Sequence, residues 1–401
     1  MDYIDAFHRL QHYCHKEGYK GWDPYDGLNS RIFQWIPGIR HSAFCRLAMI
    51  QSFKRLPCNL RRWAMVPKEY NPKGIALFLK GYCFLYQIVV THPEAQHTFG
   101  NIKLIEEQIN QLAQLLISLQ SKGNYHGACW GYNFDWQSRR QFLFPKYTPT
   151  VVVTKFCADA LYQAYEITHQ KAYLDIALST AQFVLHDLHR TLCQQGFLFS
   201  YSPLNGHNTV INASLLGTHV LSLAFRYTGE KSFYEAARTS AVACCAAQRP
   251  NGAWPYGNQP FQQWVDSFHT GYNLEALYAY FACTHDSSFV ACFEHGFNYY
   301  IKHFFDQDGR PKYYDNCTLP IDIHSPAQLM MTLEATHRFN EVGNVPQRVM
   351  DWTLTHMQDK KGYFYYQKKK FLSSHIPYMR WNNAFMFCAM CCFLKEKYAT
   401  S

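Results

Sequence analysis

The sequence has few charged residues and lacks the common catalytic motifs. Charged residues make up 17% of its 401 residues, whereas hydrophobic residues make up 48%. This composition is typical of a globular protein with a large core and excludes a disordered chain. The sequence contains no His-Glu-x-x-His, no Gly-x-Ser-x-Gly and no glycine-rich phosphate loop. It therefore indicates neither a zincin, a serine hydrolase nor a P-loop enzyme, and we expect no metal and no cofactor.

Long apolar runs and a secretory leader are also missing. No uninterrupted apolar stretch approaches the roughly 20 residues that a membrane span needs. The start, Met1 to Asp5, has neither a basic nor an apolar region of the kind that signals export. The 15 cysteines lie mostly in apolar helical patterns, which favours reduced core thiols over disulfides or zinc. We expect a soluble, cytoplasmic protein with at most peripheral membrane contact.

Charge excludes one class of partner and leaves another open. The net charge is +9, and the basic residues are scattered, with short clusters such as Arg61-Arg62 and Lys368-Lys369-Lys370. Nucleic acid is not indicated, because a binding protein of that kind shows a basic stripe or patch. A positive surface could attract an anionic substrate or an acidic membrane, or could simply be solvated.

Aromatic residues are unusually abundant. The chain has 29 Tyr, 30 Phe and 9 Trp, which together make up 17% of it. A core alone rarely needs so many rings, so we expect some of them to line a surface.

A helical unit recurs from about Thr150 onward. Two segments with helical periodicity are joined by a short polar turn and followed by a loop of glycine and aromatic residues, at intervals of roughly 55 residues. These loops are Gly196–Tyr201, Gly252–Tyr256, Gly309–Tyr314 and Gly362–Tyr366, with an earlier one at Gly127–Tyr132. The pattern predicts a repeat of helical hairpins.

The hairpins are expected to close into a ring. The predicted units lie near 74–120, 150–190, 208–248, 269–305 and 325–357, and a terminal helix near 382–397 would pair with an N-terminal helix near 40–56. Closure is favoured because the apolar segment Phe385–Phe393 is not the polar cap that an open array requires. The sequence thus predicts an all-α fold, an (α/α)6 toroid or six-hairpin barrel, as a single domain over 1–401. Within it, residues 1–70 help to close the ring and contribute a loop to the site.

In such a toroid the loops before the inner helices meet at one end of the barrel, and here they are polar and aromatic. Aromatic rings stack on sugar rings, polar side chains bind hydroxyls, and paired carboxylates supply acid and base. The candidate catalytic residues are Asp26, Asp135 and Asp266. The candidate substrate-binding residues are Trp22, Tyr25, Trp130, Trp136, Asn212, Trp264, His269, Asp322, His324, Arg380 and Trp381. Helix N-termini aimed into the cavity would also favour an anionic group.

Some of these residues have a structural interpretation as well. Asp266, Asp322 and Asn212 lie close to predicted helix starts, where Asp and Asn commonly act as N-caps. His269 and His324 could be hydrogen-bonded parts of the scaffold. Asp266 and His269 alone are too few ligands to predict a metal site.

Two family resemblances are visible. The segment Gln248-Arg-Pro-Asn-Gly-Ala-Trp254 resembles the Gln-x-x-x-Gly-x-Trp repeat of terpenoid cyclases and protein prenyltransferases, which are α/α toroids, although their Asp-rich motifs are missing. Asp23–Gly27, Trp130–Gln137, Pro149-Thr150 and Trp264–Gly271 resemble bacterial polysaccharide-biosynthesis proteins with a six-hairpin-glycosidase-like fold. The second resemblance covers more of the chain and implies a role in making or modifying a surface polysaccharide.

The leading hypothesis is a carbohydrate-active enzyme of surface-polysaccharide biosynthesis that uses carboxylate acid/base chemistry, as a hydrolase, lyase or epimerase. Its substrate would be a sugar, an oligosaccharide or a lipid-linked glycan, neutral or anionic. One alternative is a non-catalytic glycan-binding or scaffold protein of the same pathway. Another is an isoprenoid-binding toroid, for which we expect a cavity of aromatic residues with few carboxylates. A glycosidase instead needs two carboxylates about 5 to 10 Å apart.

Overall fold

A computed structural model describes residues 2–137, 143–204 and 209–400. Within these ranges the chain forms fifteen α-helices, six short β-strands and a few single turns of other helix types. Asn208, with which the third predicted hairpin begins, lies outside the described residues.

Most of the chain is helical. The helices are α1 (Tyr3–Lys16), α2 (Arg31–Trp35), α3 (Ala43–Arg55), α4 (Pro72–Thr91), α5 (Gln96–Phe99), α6 (Ile102–Ser118), α7 (Val151–Thr168), α8 (Lys171–Asp187), α9 (Ile211–Thr228), α10 (Lys231–Ala246), α11 (Ser267–Thr284), α12 (Val290–Phe304), α13 (His324–Thr336), α14 (Val345–Met357) and α15 (Phe385–Ala399). A π-helical turn, Met379–Ala384, leads directly into α15.

The strands form three short antiparallel pairs in the loops. They are β1 (Trp136–Gln137) with β2 (Leu143–Phe144), β3 (Arg190–Leu192) with β4 (Phe197–Phe199), and β5 (Ile321–Asp322) with β6 (Gln367–Lys368). In the last pair Asp322 lies opposite Gln367, so loops distant in sequence are joined there.

Six helices form a closed inner ring. In chain order these are α4, α7, α9, α11, α13 and α15; each packs against the next, and α15 returns to pack against α4. They are apolar around most of their circumference and bury nearly all of their first three turns, as helices covered on every side do. The outer helices α6, α8, α10, α12, α14 and α1 cover them. The predicted (α/α)6 toroid is confirmed.

The partner of the terminal helix differs from the prediction. The outer helix that packs against α15 is α1. Helix α3, at the predicted 40–56, packs instead on 3-10 turns and on β1. The reason is apolar surface: α1 buries Phe7 and Leu10 completely, while α3 leaves Phe44 80% exposed. Only α1 has a face that can complete the outer layer.

The recurring glycines explain how closely each loop packs on an outer helix that follows it. A Cβ on any of these glycines would lie within 2.3 Å of a backbone carbonyl oxygen of a following outer helix, so only a residue without a side chain fits. The pairs are Gly127 with Ser179, Gly196 with Thr239, Gly252 with His295, Gly309 with Arg348, and Gly362 with Arg9. The last pair lies on α1, which makes α1 the sixth outer helix by the same rule.

Helix α4 has the length and composition of a membrane span. However, 78% of its apolar window is buried inside the protein. Its apolar character therefore belongs to an inner helix of the barrel, which is surrounded by other helices.

We expect Gly362→Ala to destabilise the fold by about 1–3 kcal/mol more than Gly18→Ala. Both glycines have positive φ, but a Cβ at Gly362 meets the Arg9 carbonyl oxygen at 2.1 Å, whereas nothing lies within 4 Å of one at Gly18. Urea unfolding of both variants measures the difference. Equal losses would mean that α1 does not dock tightly on this loop.

Candidate functional site

A cavity of about 590 Å³ opens at the end of the barrel where the inner helices begin. Every inner helix contributes a residue from its first turn or from just before it. These residues are Lys73, Val152, Val210, Asp266, His324 and Arg380. The N-terminal segment adds Tyr25, Gln51 and Lys54. The polar loops therefore do meet where the hairpin repeat places them.

Aromatic rings dominate the wall of this cavity. Among the described residues, 13 of the 24 that line it are Tyr, Phe or Trp. Trp264 stacks on Tyr256 with ring centroids 4.6 Å apart and planes inclined by 15°, and it remains 39% exposed. Such a flat, partly open pair of rings is suited to stacking against a ligand.

Asp266 and His269 form a hydrogen-bonded pair at the start of α11. Oδ1 of Asp266 accepts the backbone N–H of His269 at 3.0 Å, so this carboxylate is the N-cap of the helix. Its Oδ2 lies 2.7 Å from Nδ1 of His269. Because a carboxylate oxygen accepts, Nδ1 carries a hydrogen, and in the neutral tautomer Nε2 then holds the lone pair. The pair thus presents a basic nitrogen on a residue that lines the cavity.

His324 is a second cavity imidazole, in a different state. Its Nε2 lies 2.8 Å from the hydroxyl of Tyr272, and its buried Nδ1 has no hydrogen-bond partner among the described residues. Burial, followed by the charges of Lys73 and Arg380, lowers its pKa well below the ordinary value. His324 is therefore neutral at pH 7. With Nε2 accepting from Tyr272, Nδ1 carries the hydrogen and lies buried without a partner among the described residues.

Lys73 lies beside this imidazole. Its Nζ donates to the Tyr272 hydroxyl at 3.1 Å and lies 3.9 Å from the ring centroid of Phe156. It has no carboxylate within 4.0 Å among the residues that the structure describes. Burial is the main reason that its pKa falls well below the usual value. The sequence analysis missed Lys73 because it lies next to Pro72 at the start of an apolar helix and belongs to no polar loop. A charged residue in such an apolar segment was the available signal for a buried cation.

Arg380 and Trp381 enter the cavity from the π-helical turn before α15. Arg380 is 3% exposed and binds Asp23 with two hydrogen bonds, from Nε at 2.5 Å and from Nη2 at 2.9 Å. Burial opposes its charge, but the carboxylate beside it more than compensates, and its pKa is raised. Asp23 neutralises Arg380 and fixes its direction, as expected for a bidentate pair.

Asp322 does not line the cavity but holds two residues that do. It is completely buried and accepts from the indole N–H of Trp381 at 2.8 Å and from the backbone N–H of His324 at 3.0 Å. Gln367 donates to its other oxygen at 2.6 Å. Burial, which these hydrogen bonds offset only in part, raises its pKa to about 6. The predicted substrate contact is thus replaced by a positioning role.

Two of the three predicted catalytic carboxylates do not reach the cavity. Asp26 accepts from Nε of Arg61 at 2.7 Å and is occupied in compensating that fully buried guanidinium. Asp135 accepts the backbone N–H of Lys146 at 2.7 Å and holds the loop around β1 and β2. Only Asp266 of the three lines the cavity, so the expected convergence of carboxylates is wrong.

Three further predicted residues are parts of the scaffold. The indole N–H of Trp130 donates to the carbonyl of Leu116, and that of Trp22 donates to Val66. Asn212 is buried in the first turn of α9. None of the three lines the main cavity, which instead contains the predicted residues Tyr25, Trp136, Trp264, Asp266, His269, His324, Arg380 and Trp381.

A buried ion network lies one to two turns further along the inner helices. Lys155 pairs with Asp159 at 2.9 Å and with Glu275 at 3.0 Å. Asp159 also accepts from His219 at 2.8 Å, and despite burial these partners lower its pKa. Charges four residues apart in an apolar helix were the sequence signal for this missed network. It fixes the inner helices beneath the cavity.

Comparison with known proteins adds information on the fold. No protein-family model matches the chain, and no curated protein sequence matches it. The structure resembles cellobiose 2-epimerase from Bacillus thermoamylovorans, at 12% identity and a TM-score of 0.59 over 83% of this chain and 90% of that one. It also resembles an unsaturated glucuronyl hydrolase specific for heparin, at 13% identity and a TM-score of 0.58 over 83% and 88%. A D-mannose isomerase gives 13% identity and a TM-score of 0.52 over 80% and 86%. At these identities the likeness shows the shared toroid fold.

We expect the stability contributed by Asp322 to fall as the pH rises. Its pKa is raised from 3.8 to about 6, so its contribution is fully present below pH 4 and is lost as the pH passes 6. The loss is about 3 kcal/mol at 1.36 kcal/mol per pH unit. Asp322→Asn keeps two acceptor bonds and does not titrate. Urea unfolding should therefore show the wild type losing about 2 kcal/mol or slightly more relative to the variant between pH 4 and 7, and a pH-independent difference would contradict this.

Proposed function

We propose that the cavity binds a sugar and that the His269–Asp266 pair transfers a proton on it, in a reaction of the epimerase or isomerase type. The observation that carries this proposal is that Asp266 is the sole carboxylate among the described lining residues and is bonded to His269. The sequence at 138–142 and 205–208 contains no Asp or Glu. The described lining thus favours the imidazole of His269, supported by Asp266, as the acid and base.

The geometry suits proton transfer next to a carbonyl. In an open-chain sugar, the carbon beside the carbonyl carries the acidic hydrogen. Nε2 of His269 can remove that hydrogen while Asp266 stabilises the imidazolium that forms. After exchange with solvent, delivery of a proton from the imidazolium to the other face of that carbon gives an epimer. Its delivery to the former carbonyl carbon, while the hydroxyl proton on the deprotonated carbon passes to the former carbonyl oxygen, gives a ketose.

Hydrolysis by two carboxylates is less well supported. Glycosidases of that type need a pair of carboxylates flanking the bond, and the described lining supplies one. Solved structures with this fold include a 2-epimerase, an isomerase and a hydrolase, so the fold itself does not choose between them. The residues in the cavity favour the first two.

The isoprenoid alternative has one observation in its favour. The part of the wall that the structure describes has 13 aromatic residues and one carboxylate, which is the lining expected for an apolar chain. However, seven of these residues are tyrosines, and three glutamines and the cations Lys54, Lys73 and Arg380 also line the wall. Burying these groups against hydrocarbon would leave them unpaired. A hydroxylated ligand satisfies them.

We place this activity in the biosynthesis of a surface polysaccharide, in the cytoplasm. The support is the resemblance carried by Asp23–Gly27 and Trp264–Gly271. An aldose, a nucleotide-linked sugar and a lipid-linked glycan are the substrate classes to test.

Turnover should depend on the imidazole pair. We expect His269→Gln to lower kcat by about 10²- to 10⁴-fold, the usual contribution of a general base. Asp266→Asn should lower kcat as well. The two hydrogen bonds of Asp266 use different carboxylate oxygens, and an amide has only one oxygen, so the imidazole loses its orientation. Product analysis by NMR with each sugar class measures this effect.

The matched control is Asp175→Asn, the same change in an exposed carboxylate of the outer helix α8, which should leave kcat unchanged. Full turnover by Asp266→Asn would remove Asp266 from the proposed role. Tight sugar binding without turnover by the wild type would favour the glycan-binding alternative. Binding of a prenyl diphosphate in preference to every sugar would favour the isoprenoid alternative.

A further inference from the structure

Residues 27–68, here called the basic segment, carry charge of one sign. They contain eight Lys and Arg residues and no Asp or Glu. Arg31, Arg40, Arg55 and Arg62 are exposed, and no carboxylate of the described residues forms an ion pair with them. Only Arg61 and Lys68 of this segment have such partners. The scattered charge of the whole chain conceals this local excess.

The same segment exposes large apolar side chains. Trp35, Phe44 and Trp63 are 67%, 80% and 81% exposed. Ile32, Ile36, Leu60 and Met65 are also exposed. Seven of the 16 exposed large hydrophobic residues in the described chain thus lie within this segment. Clustering of this kind marks an interaction surface, whereas single exposed apolar residues do not.

The basic segment is one packed unit. Leu28, Phe33 and Ile50 of the segment are buried together in a small hydrophobic cluster, separate from the main core. Two hydrogen bonds join the ends of the segment. Ser30 Oγ donates to the carbonyl oxygen of Ala64 at 2.6 Å, and the backbone N–H of Arg31 donates to the carbonyl oxygen of Met65 at 3.4 Å. Its exposed side chains therefore project from a defined scaffold.

A second basic and apolar loop adjoins this unit. Nζ of Lys369 donates to the carbonyl of Arg55 at 3.3 Å. This loop carries Lys368, Lys369 and Lys370, and it exposes Phe371 by 85% and Leu372 by 66%. Two segments distant in sequence thus build one surface with the same mixture of residues.

The surface lies beside the mouth of the cavity. Gln51 and Lys54 of α3 line the cavity, while Phe44 at the start of the same helix is exposed. A ligand that reaches the cavity past α3 therefore passes this surface.

We propose that the basic segment docks on an anionic lipid membrane. Exposed Trp and Phe side chains enter the boundary between headgroups and acyl chains, and Arg and Lys bind lipid phosphates. The complementarity of charge selects an acidic surface, and the aliphatic residues favour lipid over nucleic acid. Docking itself does not depend on the chemistry in the cavity. The consequence that a sugar carried on a lipid reaches the cavity from the membrane rests on the proposed function.

The test is vesicle co-sedimentation of the full chain. We expect binding to vesicles of phosphatidylcholine mixed with phosphatidylglycerol, little binding to phosphatidylcholine alone, and release by added salt. The triple variant Trp35→Ser, Phe44→Ser, Trp63→Ser should bind at least about tenfold more weakly. Arg40→Gln with Arg62→Gln should do likewise, at about fivefold per charge removed.

Matched controls separate this surface from general effects. Leu104→Ser with Leu192→Ser changes apolar residues that are 63% and 85% exposed elsewhere, and Lys122→Gln with Lys171→Gln removes two exposed charges elsewhere; both should bind as the wild type does. Equal binding to neutral vesicles, equal losses in the controls, or a dimer in light scattering that the triple variant abolishes would overturn the proposal. Turnover of a water-soluble sugar by the triple variant is expected to be unchanged, so failure of docking and failure of the proposed chemistry remain distinguishable.

Discussion

The packing of α4 against α15 is the interaction on which the site depends. Gly81 allows this contact, since a Cβ there would lie 2.6 Å from the ring of Phe387. Phe7 of α1 packs against the same ring, with centroids 5.3 Å apart, so the outer layer closes at this point too. Because the first and last inner helices pack together, Lys73 and Arg380 line the same cavity as Asp266 and His324. An open array of the same hairpins would leave these side chains apart.

Capping and chemistry are not alternatives for Asp266. One carboxylate oxygen caps α11 and the other holds the imidazole of His269, so the rigidity of the helix start is passed on to the proposed base. Asp322 shows the opposite arrangement, because it does not line the cavity itself and two of its three hydrogen bonds hold His324 and Trp381, which do. The two aspartates precede inner helices in a similar way, but their neighbours give them different roles.

Local pattern accounts for the fold and for the location of the site. The period of the hairpins and of the glycine loops predicted six units. This period is visible in the sequence because each loop needs a glycine where it packs closely on the backbone of the next unit. Individual roles depended on contacts between distant residues that no local pattern encodes. Asp26 is occupied by Arg61, and Lys73 owes its environment to Tyr272, 199 residues away. The choice of α1 over α3 followed from total buried surface, which a helical period does not measure.

The central claim is that the cavity moves a proton on carbon through His269 and Asp266, and solvent isotope exchange tests it most directly. An aldose is incubated with the protein in deuterated water, and the carbon next to the carbonyl is followed by proton NMR. The account predicts deuterium at that carbon with the wild type and none with His269→Gln. Product formation without deuterium at that carbon, or cleavage of a glycosidic bond with solvent oxygen at the anomeric carbon, would contradict it.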